Sequence, residues 1–350
     1  MRRPLCPKCL DSKTCVRDTD CLGGSCDNKV CKTPNCSDGT TNGLETDVDC
    51  GGNTCAKCTT GKKCTGSNDC QSGICTNQTC ECPSGMAKAT TQGGTGTFCI
   101  DSAEVTKGQY QKFMDATSGA VVKQGPLCTN NKFQPRAAWG PATTPPGPPD
   151  NGLAFNMSLP VHYVDWCDAL AYCKWAGKQL CGKLGGGSLT SNEGNDFTKD
   201  AWYSACTNEG SYAYPYGNTY SDRCNGTGQG VLGPIKNYIG GFGYPENEDS
   251  GLMMVVDSDD RGNFTKYVHA ECYGPKDAYQ LSGNVAEWED ACDDPTSPTS
   301  VCRVRGGSHL ANGDPAKLAC NADRRVPRVP TNDAAGNALL EDVGIRCCLY

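Results

Sequence analysis

The strongest periodic pattern of apolar and polar positions lies between Asp165 and Gly177. Asp165 stands where a short polar side chain can cap the first turn of a helix, Asp168 adds negative charge to that turn, and Gly177 follows the last apolar position. The pattern predicts a helix with one buried face and defined ends. Five apolar residues in this segment follow the 3.6-residue period: Trp166, Ala169, Leu170, Cys173 and Ala176.

A strand and a second helix are predicted ahead of this one. The apolar run from Phe98 to Asp101 is typical of a short strand, and the stretch from Glu104 to Phe113 follows it as a predicted helix. Tyr110 and Phe113 are three residues apart, so they would share the buried face of that helix.

A candidate cation site surrounds the turn signal Gly283-Asn284. Val285 and Trp288 are three residues apart and can share the buried face of a short helical or turned segment. Glu287 is next to Trp288, and Gln280 is close in sequence. A carboxylate in a tight turn, with backbone carbonyls and an amide nearby, is a set of ligands that suits Ca²⁺. The alternative is a surface glutamate beside a core tryptophan.

Residues 6–82 contain few apolar residues other than cysteine, and their cysteines form a repeat. Identical spacing of six cysteines at an offset of 49 residues indicates a duplicated module. The second copy also contains Cys36 and Cys50, which have no counterpart ahead of the first copy, so we expect the natural protein to continue upstream of residue 1. The first copy contains Cys6, Cys9, Cys15, Cys21, Cys26 and Cys31, and the second contains Cys55, Cys58, Cys64, Cys70, Cys75 and Cys80.

This repeat cannot bury enough apolar surface to offset the entropy lost on folding. Disulfides, each contributing about 2–4 kcal/mol, are expected to stabilise it instead. The loop from Asp38 to Asp49 collects carboxylate and amide oxygens, although not at EF-hand spacing. It is either a second Ca²⁺ candidate or a plain solvated loop.

Composition predicts a protein that works outside the cytoplasm. The chain has 350 residues and 28 cysteines, a density that indicates disulfides formed in an extracellular, cell-surface or periplasmic environment. A net charge of −7 argues against nucleic acid as a partner. No apolar run approaches the ~18 residues of a membrane span. The start, Met1–Cys6, lacks the apolar core of a signal peptide, so we expect the true signal sequence to be absent from the printed chain.

Five segments, taken in order, resemble the formylglycine-generating enzymes, also called sulfatase-modifying factors. The resemblance implies an irregular α+β fold like that of C-type lectins over residues 98–350. Residues 1–82 would then be a separate disulfide-rich region, with a junction at 83–97. The segments are Asp101–Phe113, Pro160–Lys178, Ala278–Asp290 with its Gly-Asn-Val-Ala-Glu-Trp core, Arg303–Ser308 and Gly344–Cys347.

The resemblance also implies disulfides and ligands. The implied disulfides are Cys173–Cys347 and Cys206–Cys320, while Cys292 and Cys302 are near enough in sequence to close a small loop. The family usually has asparagine where this chain has Gln280. A second implied Ca²⁺ site begins at Asn225 and Gly226, with acidic partners at Asp259 or Asp260. The first implied Ca²⁺ site uses the side chains of Gln280 and Glu287 and the carbonyl oxygens of Gly283 and Val285.

The active members of the family resemble one another in a cysteine pair that binds Cu(I) and activates O₂. These cysteines follow the Gly-Gly-Ser motif by three and eight residues. Counted from Ser308, the two positions are Ala311 and Ala316, which have no ligand atom. The resemblance therefore implies the scaffold of the family without its copper, and no catalytic residue is assigned.

Two functions follow as alternatives. The leading one is an exported, non-catalytic binding or structural protein whose partner is a protein, a glycan or copies of itself in an assembly. The other is a secreted oxidoreductase of the same family with a rearranged metal site, in which His309 would act with Asp314 or Asp323. A hydrogen-bonded histidine is the plainer interpretation of His309. The arginines after residue 300 could line a groove or form structural ion pairs: Arg303, Arg305, Arg324, Arg325 and Arg328.

Overall fold

The structure is a computed structural model that divides into two compact units, Met1–Pro83 and Ser84–Tyr350. In both units most strands are short, and the few helices are separated by long irregular stretches. The expected mixture of helix and strand with little regular structure is confirmed. The residues that the structure describes are 8–22, 24–32, 35–52, 55–91, 96–117, 124–128, 131–135, 159–190, 192–226, 255–258, 264–268, 272, 274–331 and 334–350.

The first unit contains the two cysteine modules in matching conformations. Strands β1 (Cys26–Asp27) and β2 (Val30–Cys31) form a hairpin in the first copy, and β3 (Cys75–Thr76) and β4 (Thr79–Cys80) form its equivalent in the second. The disulfides Cys15–Cys26 and Cys21–Cys31 recur as Cys64–Cys75 and Cys70–Cys80. Cysteines make up most of the buried apolar residues of this unit.

The second unit begins with a sheet that includes most of the expected junction. Strand β5 (Met86–Thr90) pairs antiparallel with β6 (Thr97–Asp101) along five residues, so residues 83–97 are not a simple linker. Met86, Ala87 and Ala89 are buried in this sheet. Strand β7 (Gln179–Leu180) and the last strand, Cys347–Leu349, complete a sheet in the order β5-β6-last strand-β7.

A second four-stranded sheet carries the Gly-Asn-Val-Ala-Glu-Trp segment. Its strands are β10 (Ala286–Cys292), β11 (Val301–Arg305), β12 (Arg324–Pro327) and β13 (Val343–Gly344). The order is β12-β11-β10-β13, with β13 parallel to β10 and the other pairs antiparallel. Strands β8 (Val255–Ser258) and β9 (Phe264–Val268), which precede these four strands in the chain, form a separate hairpin. The last strand of the chain is accordingly β14.

The prediction of a short helical or turned segment over Val285–Trp288 is wrong. Residues from Ala286 onwards are a strand that is buried on both faces. A spacing of three residues between apolar positions, as between Val285 and Trp288, fits a helix and a fully buried strand equally well. The hydrogen bonding of this segment to β11 and β13 decides that it is a strand.

The two predicted helices of the second unit are present. Helix α1 (Lys107–Thr117) starts later than expected, because Glu104 lies outside the helix and points into the core. Helix α2 (Trp166–Trp175) has the predicted ends: the Asp165 carboxylate accepts the amide of Asp168, the reverse bond completes a capping box, and Gly177 has a left-handed φ of 73°.

Three shorter helices follow: α3 (Ala201–Cys206), α4 (Pro315–Leu318) and α5 (Ala334–Ala338). The polar stretch before α3 ends inside the protein. Asp200 is fully buried, and its carboxylate both caps α3 and pairs with Arg305 at 2.9 Å. No helix in the described residues is long and apolar enough to cross a membrane.

Disulfides connect distant parts of the second unit. Cys173–Cys347 and Cys206–Cys320, the pairs implied by the resemblance, join residues 174 and 114 positions apart. The bond Cys292–Cys302 closes the turn between β10 and β11. The structure adds Cys128–Cys167, Cys181–Cys348 and Cys224–Cys272.

Candidate functional site

The candidate site is organised around the tight turn at Gly283, ahead of β10. Gly283 has a φ of 77°, and a Cβ atom there would lie 2.5 Å from the carbonyl oxygen of Asn225. Its amide donates to the carbonyl of Gly306 at 2.8 Å. Only glycine fits this close approach with a left-handed backbone, so the turn fixes the Asn225 segment against the residues that precede β10.

Asn284 connects the elements that meet at this turn. Its amide donates to Asn225 O at 2.7 Å, and its side-chain oxygen accepts Asn225 Nδ2 at 3.2 Å. Its side-chain nitrogen donates to Glu104 Oε2 at 2.6 Å, and Glu104 Oε1 accepts the amide of Val285 at 3.0 Å. The two candidate cation segments, at 225–226 and 280–287, therefore belong to one buried cluster; Asp259 and Asp260 lie outside the described residues.

The carboxylate of Glu287 faces a single guanidinium. Arg346 Nε lies 2.8 Å from each oxygen of Glu287 and Nη2 lies 2.7 Å from Oε1, while the Trp202 indole also donates to Oε2. All of these side chains are buried. Burial raises the pKa of Glu287, although Arg346 opposes that change. Burial and the nearby Glu287 raise the pKa of Glu104 to about 8. Two carboxylates thus share one full positive charge.

Gln280 is the residue of this cluster whose side chain makes no hydrogen bond among the described residues. It is 1% exposed, and neither its Oε1 nor its Nε2 has a hydrogen-bond partner among the described residues. Its backbone is left-handed, with a φ of 55°, and its carbonyl oxygen accepts Arg346 Nη2 at 3.3 Å. An unpaired buried amide costs about 1–3 kcal/mol unless something else satisfies it. An oxygen ligand without another partner, close to two buried carboxyl groups, fits a hard cation.

His309 is a hydrogen-bonded core residue, as in the plainer interpretation of the sequence. Its Nδ1 lies 2.8 Å from Asn284 O, which also accepts the His309 amide at 2.9 Å. His162 lies near it, bonded through Nδ1 to Glu341 O at 2.9 Å. Burial and the charge of Lys107 lower the pKa of His162 to about 4, and burial lowers the pKa of Lys107 to about 8. The contacts of His309 run to Asn284 and not to Asp314 or Asp323.

The Gly-Gly-Ser turn is held by a carboxylate from another segment. The hydroxyl of Ser308 donates to Asp342, and the same carboxylate accepts Arg324 at 2.9–3.0 Å. Asp342 was not foreseen from the sequence, because nothing near it marks it as a partner of a motif 34 positions away. Ala311 ends a short 3₁₀ turn and is buried, whereas Ala316 lies exposed on α4.

No thiol remains in the second unit to replace the missing pair. Every cysteine after Pro83 lies in the described residues, and each one is disulfide-bonded. Cys320, the cysteine that follows the Gly-Gly-Ser motif most closely, bonds to Cys206. Thiolate chemistry at this place would therefore require breaking a structural disulfide.

Three of the five arginines that could have lined a groove are buried: Arg303, Arg305 and Arg328. Arg303 and Arg305 both face Glu289, and Arg305 also reaches Asp200. Burial and Glu289 raise the pKa of Asp200 well above its usual range, although Arg305 opposes this. The guanidinium of Arg328 lies 4.6 Å from the centre of the Trp166 ring. Arg324 is exposed and pairs with Asp342, and Arg325 is partly exposed and pairs with Asp293 and Asp323.

The acidic loop from Asp38 to Asp49 uses its carboxylates internally. Asp49 accepts the amides of Asp38 and Gly39 at 2.8–3.1 Å, and Asp47 accepts the amide of Lys63 at 2.7 Å. Glu45 accepts the amide of Asn42 at 3.0 Å. These bonds stabilise the loop without an ion, which favours the solvated-loop interpretation.

Comparisons with known proteins match the second unit to one family. A family model described as "Sulfatase-modifying factor enzyme 1-like domain" matches residues 73–349. The chain is 26% identical over 215 residues to a Mus musculus protein named "Inactive C-alpha-formylglycine-generating enzyme 2", covering 61% of this chain and 55% of that protein. It is 31% identical over 102 residues to "Formylglycine-generating enzyme" of Bos taurus, covering 24% of this chain and 27% of the other.

The chain thus spans about half the length of the first of these curated relatives and about a quarter of the second. Among solved structures, "Crystal Structure of CarF" aligns with a TM-score of 0.41 and 14% identity, over 76% of this chain and 98% of that one.

Proposed function

Because the chain belongs to the sulfatase-modifying factor family, we propose that it is a non-catalytic member, exported from the cytoplasm, which binds a protein or glycan partner or builds an assembly. The absence of any free thiol after Pro83 supports this most directly. The family oxidises a substrate cysteine with a copper-binding cysteine pair, and this chain has Ala311 and Ala316 at those positions.

Three further observations support the proposal. The scaffold around the missing pair is intact: the turn at Gly283, the Asn284 bonds and the Ser308–Asp342 bond hold the loop in one conformation. The disulfide density is typical of an exported protein. A relative whose name begins with "Inactive" suggests that this scaffold also serves without the enzyme activity.

A copper titration with oxygen measurement tests the proposal. The purified protein is titrated with Cu(I) in a Cys6→Ser, Cys9→Ser background, so that no thiol of the first unit binds copper, and O₂ consumption is followed with cysteine-containing peptides. We expect neither stoichiometric copper binding nor O₂ uptake. The double variant Ala311→Cys with Ala316→Cys is the matched positive control, since it restores the ligand pair and should bind one Cu(I).

The rival, an oxidoreductase with a rearranged site, makes the opposite prediction. Stoichiometric copper or iron in the wild-type protein, lost in His309→Gln together with oxygen uptake, would refute the non-catalytic proposal. Binding of labelled protein to a glycan array and sedimentation of the pure protein then divide the remaining classes of partner. Retention on glycans indicates a lectin, and concentration-dependent mass indicates an assembly subunit.

We also infer that the cluster of Gln280, Gly283, Val285 and Glu287 binds a structural Ca²⁺ ion. Gln280 offers an amide oxygen that has no partner among the described residues. Glu104, which the sequence did not mark as a site residue, adds a second carboxyl group next to Glu287, and the ion pair with Arg346 is made by Glu287. Asn225 and Gly226 lie against the turn and would support the site from the other side.

The calcium inference is tested by the response of the melting temperature to a chelator. With Ca²⁺ at a hundredfold excess over its Kd, chelation should lower the melting temperature by roughly 5–10 °C. Gln280→Leu should abolish this response, because it removes a ligand and keeps the ion pair between Arg346 and Glu287. Glu287→Ala is less suitable, since it would leave Arg346 buried without its partner. Gln111→Leu, at an amide on the surface of α1, should leave the response unchanged. Equal melting curves with and without chelator would exclude the site.

A further inference from the structure

The two cysteine modules differ at one cysteine although their backbones match. In the first copy the amide of Cys9 donates to Asp20 O at 2.7 Å, and Leu22 donates to Cys9 O at 2.7 Å. In the second copy Cys58 donates to Asp69 O at 2.6 Å, and Gln71 donates to Cys58 O at 2.9 Å. Each cysteine also forms the same parallel bridge, Cys9 with Cys21 and Cys58 with Cys70. Cys9 and Cys58 therefore occupy equivalent places.

At this shared place the second copy has a disulfide and the first has a thiol. Cys58 bonds to Cys50 and is fully buried, whereas Cys9 is free and half-buried. Cys15, Cys21, Cys26 and Cys31 of the first copy are bonded just as their counterparts are. Among the cysteines of the first copy that the structure describes, the difference lies at the bond that joins a module to the loop containing Cys50.

That loop covers Cys58 in the second copy. Thr46 Oγ1 lies 3.7 Å from Cys58 Sγ, Gly51 donates to Ala56 O at 2.7 Å, and Gly52 donates to Asp69 Oδ1 at 3.0 Å. Gly51 and Gly52 have left-handed backbones and pass so close that a Cβ atom on either would clash within the loop itself. The loop of residues 36–52 thus packs against the second module and is joined to it by the disulfide Cys50–Cys58.

The first copy presents apolar side chains around its free thiol. Leu10 is 62% exposed and Leu22 is 63% exposed. Leu10 follows Cys9 in the chain, and the amide of Leu22 donates to the carbonyl oxygen of Cys9. At the same repeat positions the second copy has the polar residues Thr59 and Gln71. Exposed leucines beside an unpaired thiol, in a chain that otherwise has few apolar residues here, are typical of a covered surface.

We propose that Cys9, Leu10 and Leu22 form the docking site for a loop that is equivalent to residues 36–52 and belongs to another cysteine-rich repeat. A disulfide joins Cys9 to the cysteine of that loop that is equivalent to Cys50. The bond forms between the two sulfur atoms, and both thiols lose their protons. The two electrons reduce a small-molecule or protein disulfide, which leaves as two thiols. The repeats would thereby link end to end, independently of what the second unit binds.

Mass spectrometry of the protein from its natural source tests this proposal. The protein is alkylated without reduction, digested, and searched for the peptide that contains Cys9. We expect that peptide cross-linked to an Asp-rich loop peptide of another repeat. If the mass of the whole protein falls on reduction, the loop belongs to a second molecule; if it does not, the loop belongs to the same chain. Alkylated Cys9, or a Cys6–Cys9 bond, would overturn the proposal.

The recombinant 350-residue chain provides a second, independent test. Expressed in an oxidising compartment, it should react under native conditions with about two equivalents of a thiol reagent, because 26 of its 28 cysteines are disulfide-bonded, or form disulfide-linked dimers through Cys9. Cys9→Ser should remove the equivalent that belongs to Cys9, together with those dimers. The double variant Leu10→Thr with Leu22→Gln, which copies the second module, should retain the thiol but dimerise less. A wild-type chain that is monomeric and unreactive at Cys9 would contradict the proposal.

Discussion

The two units solve the same problem, stabilising a chain with little regular structure, in opposite ways. Disulfides of the cysteine repeat join residues only 8–19 positions apart, and they form most of its buried surface. In the second unit disulfides join residues as far as 174 positions apart and lie inside an aromatic and aliphatic core. Short loops closed by sulfur can replace a core, whereas long-range disulfides only reinforce one that exists already.

Carboxylates differ between the units in the same sense. In the repeat they accept backbone amides; Asp69, for example, accepts the amides of Thr65, Gly66 and Gly52, and these bonds lower its pKa. In the second unit Glu104 and Asp200 are fully buried, and burial raises the pKa of each. Where a core is missing, acids replace the backbone partners of regular structure. Where one is present, acids must find guanidinium groups.

The largest difference is expected on mild reduction. With dithiothreitol and no denaturant, the disulfides of the repeat should be reduced first, because Cys26, Cys36, Cys55 and Cys75 are partly exposed. The bonds Cys173–Cys347 and Cys181–Cys348 are fully buried, so their reduction requires the core to open. They should therefore be reduced at least roughly 100-fold more slowly than the bonds of the repeat. Timed alkylation with peptide mapping measures both rates. Equal rates in the two units would break the comparison.

The next largest effect concerns the buried guanidinium of the second unit. Arg346→Met should lower the free energy of unfolding by about 3–5 kcal/mol, because it leaves the carboxylate of Glu287 buried without its partner. Arg325→Met is the matched control: its ion pairs with Asp293 and Asp323 are partly exposed and should contribute at most about 1 kcal/mol. Urea denaturation of both variants gives the two values. Similar losses would show that burial does not decide the contribution of these arginines.

The smallest effect tests the carboxylates of the repeat. Asp69→Asn should lower the local stability of the second module by about 1 kcal/mol at pH 6, as the loss of a capping carboxylate does. Because the pKa of Asp69 is lowered by folding, its contribution is present above the unfolded pKa and is lost as pH falls through the folded value. The wild-type module should therefore lose stability on acidification below about pH 4, and the variant should lose less.

Hydrogen exchange of peptides from residues 64–80, measured from pH 6 down to pH 3, resolves that change. Asp20→Asn is the internal counterpart: Asp20 accepts the amides of Val16 and Arg17 at 2.9 Å in the first module, as Asp69 accepts those of Thr65 and Gly66 in the second. The two variants should give the same pH profile, each in its own module. An effect of Asp69→Asn that is independent of pH would contradict the role of its charge.

The sequence by itself determined the features that depend on neighbouring residues. Helix α2 begins after Asp165 and ends before Gly177, because a capping box and a left-handed glycine are local devices. The cysteine modules follow from their spacing, whereas the missing thiols at Ala311 and Ala316 follow only from the resemblance to a known family. A resemblance to a known family added the disulfides from Cys173 to Cys347 and from Cys206 to Cys320.

Only the tertiary structure decided which buried charges meet. Glu104 bonds to Asn284 and Val285, 180 positions later, and Arg346 reaches back to Glu287. The strand at Ala286–Cys292 likewise needed its neighbours β11 and β13 to be distinguished from a helix. Periodicity reports only on residues within a few turns of one another, whereas burying a carboxylate depends on the path of the whole chain, because its charge must find a partner wherever the fold places one.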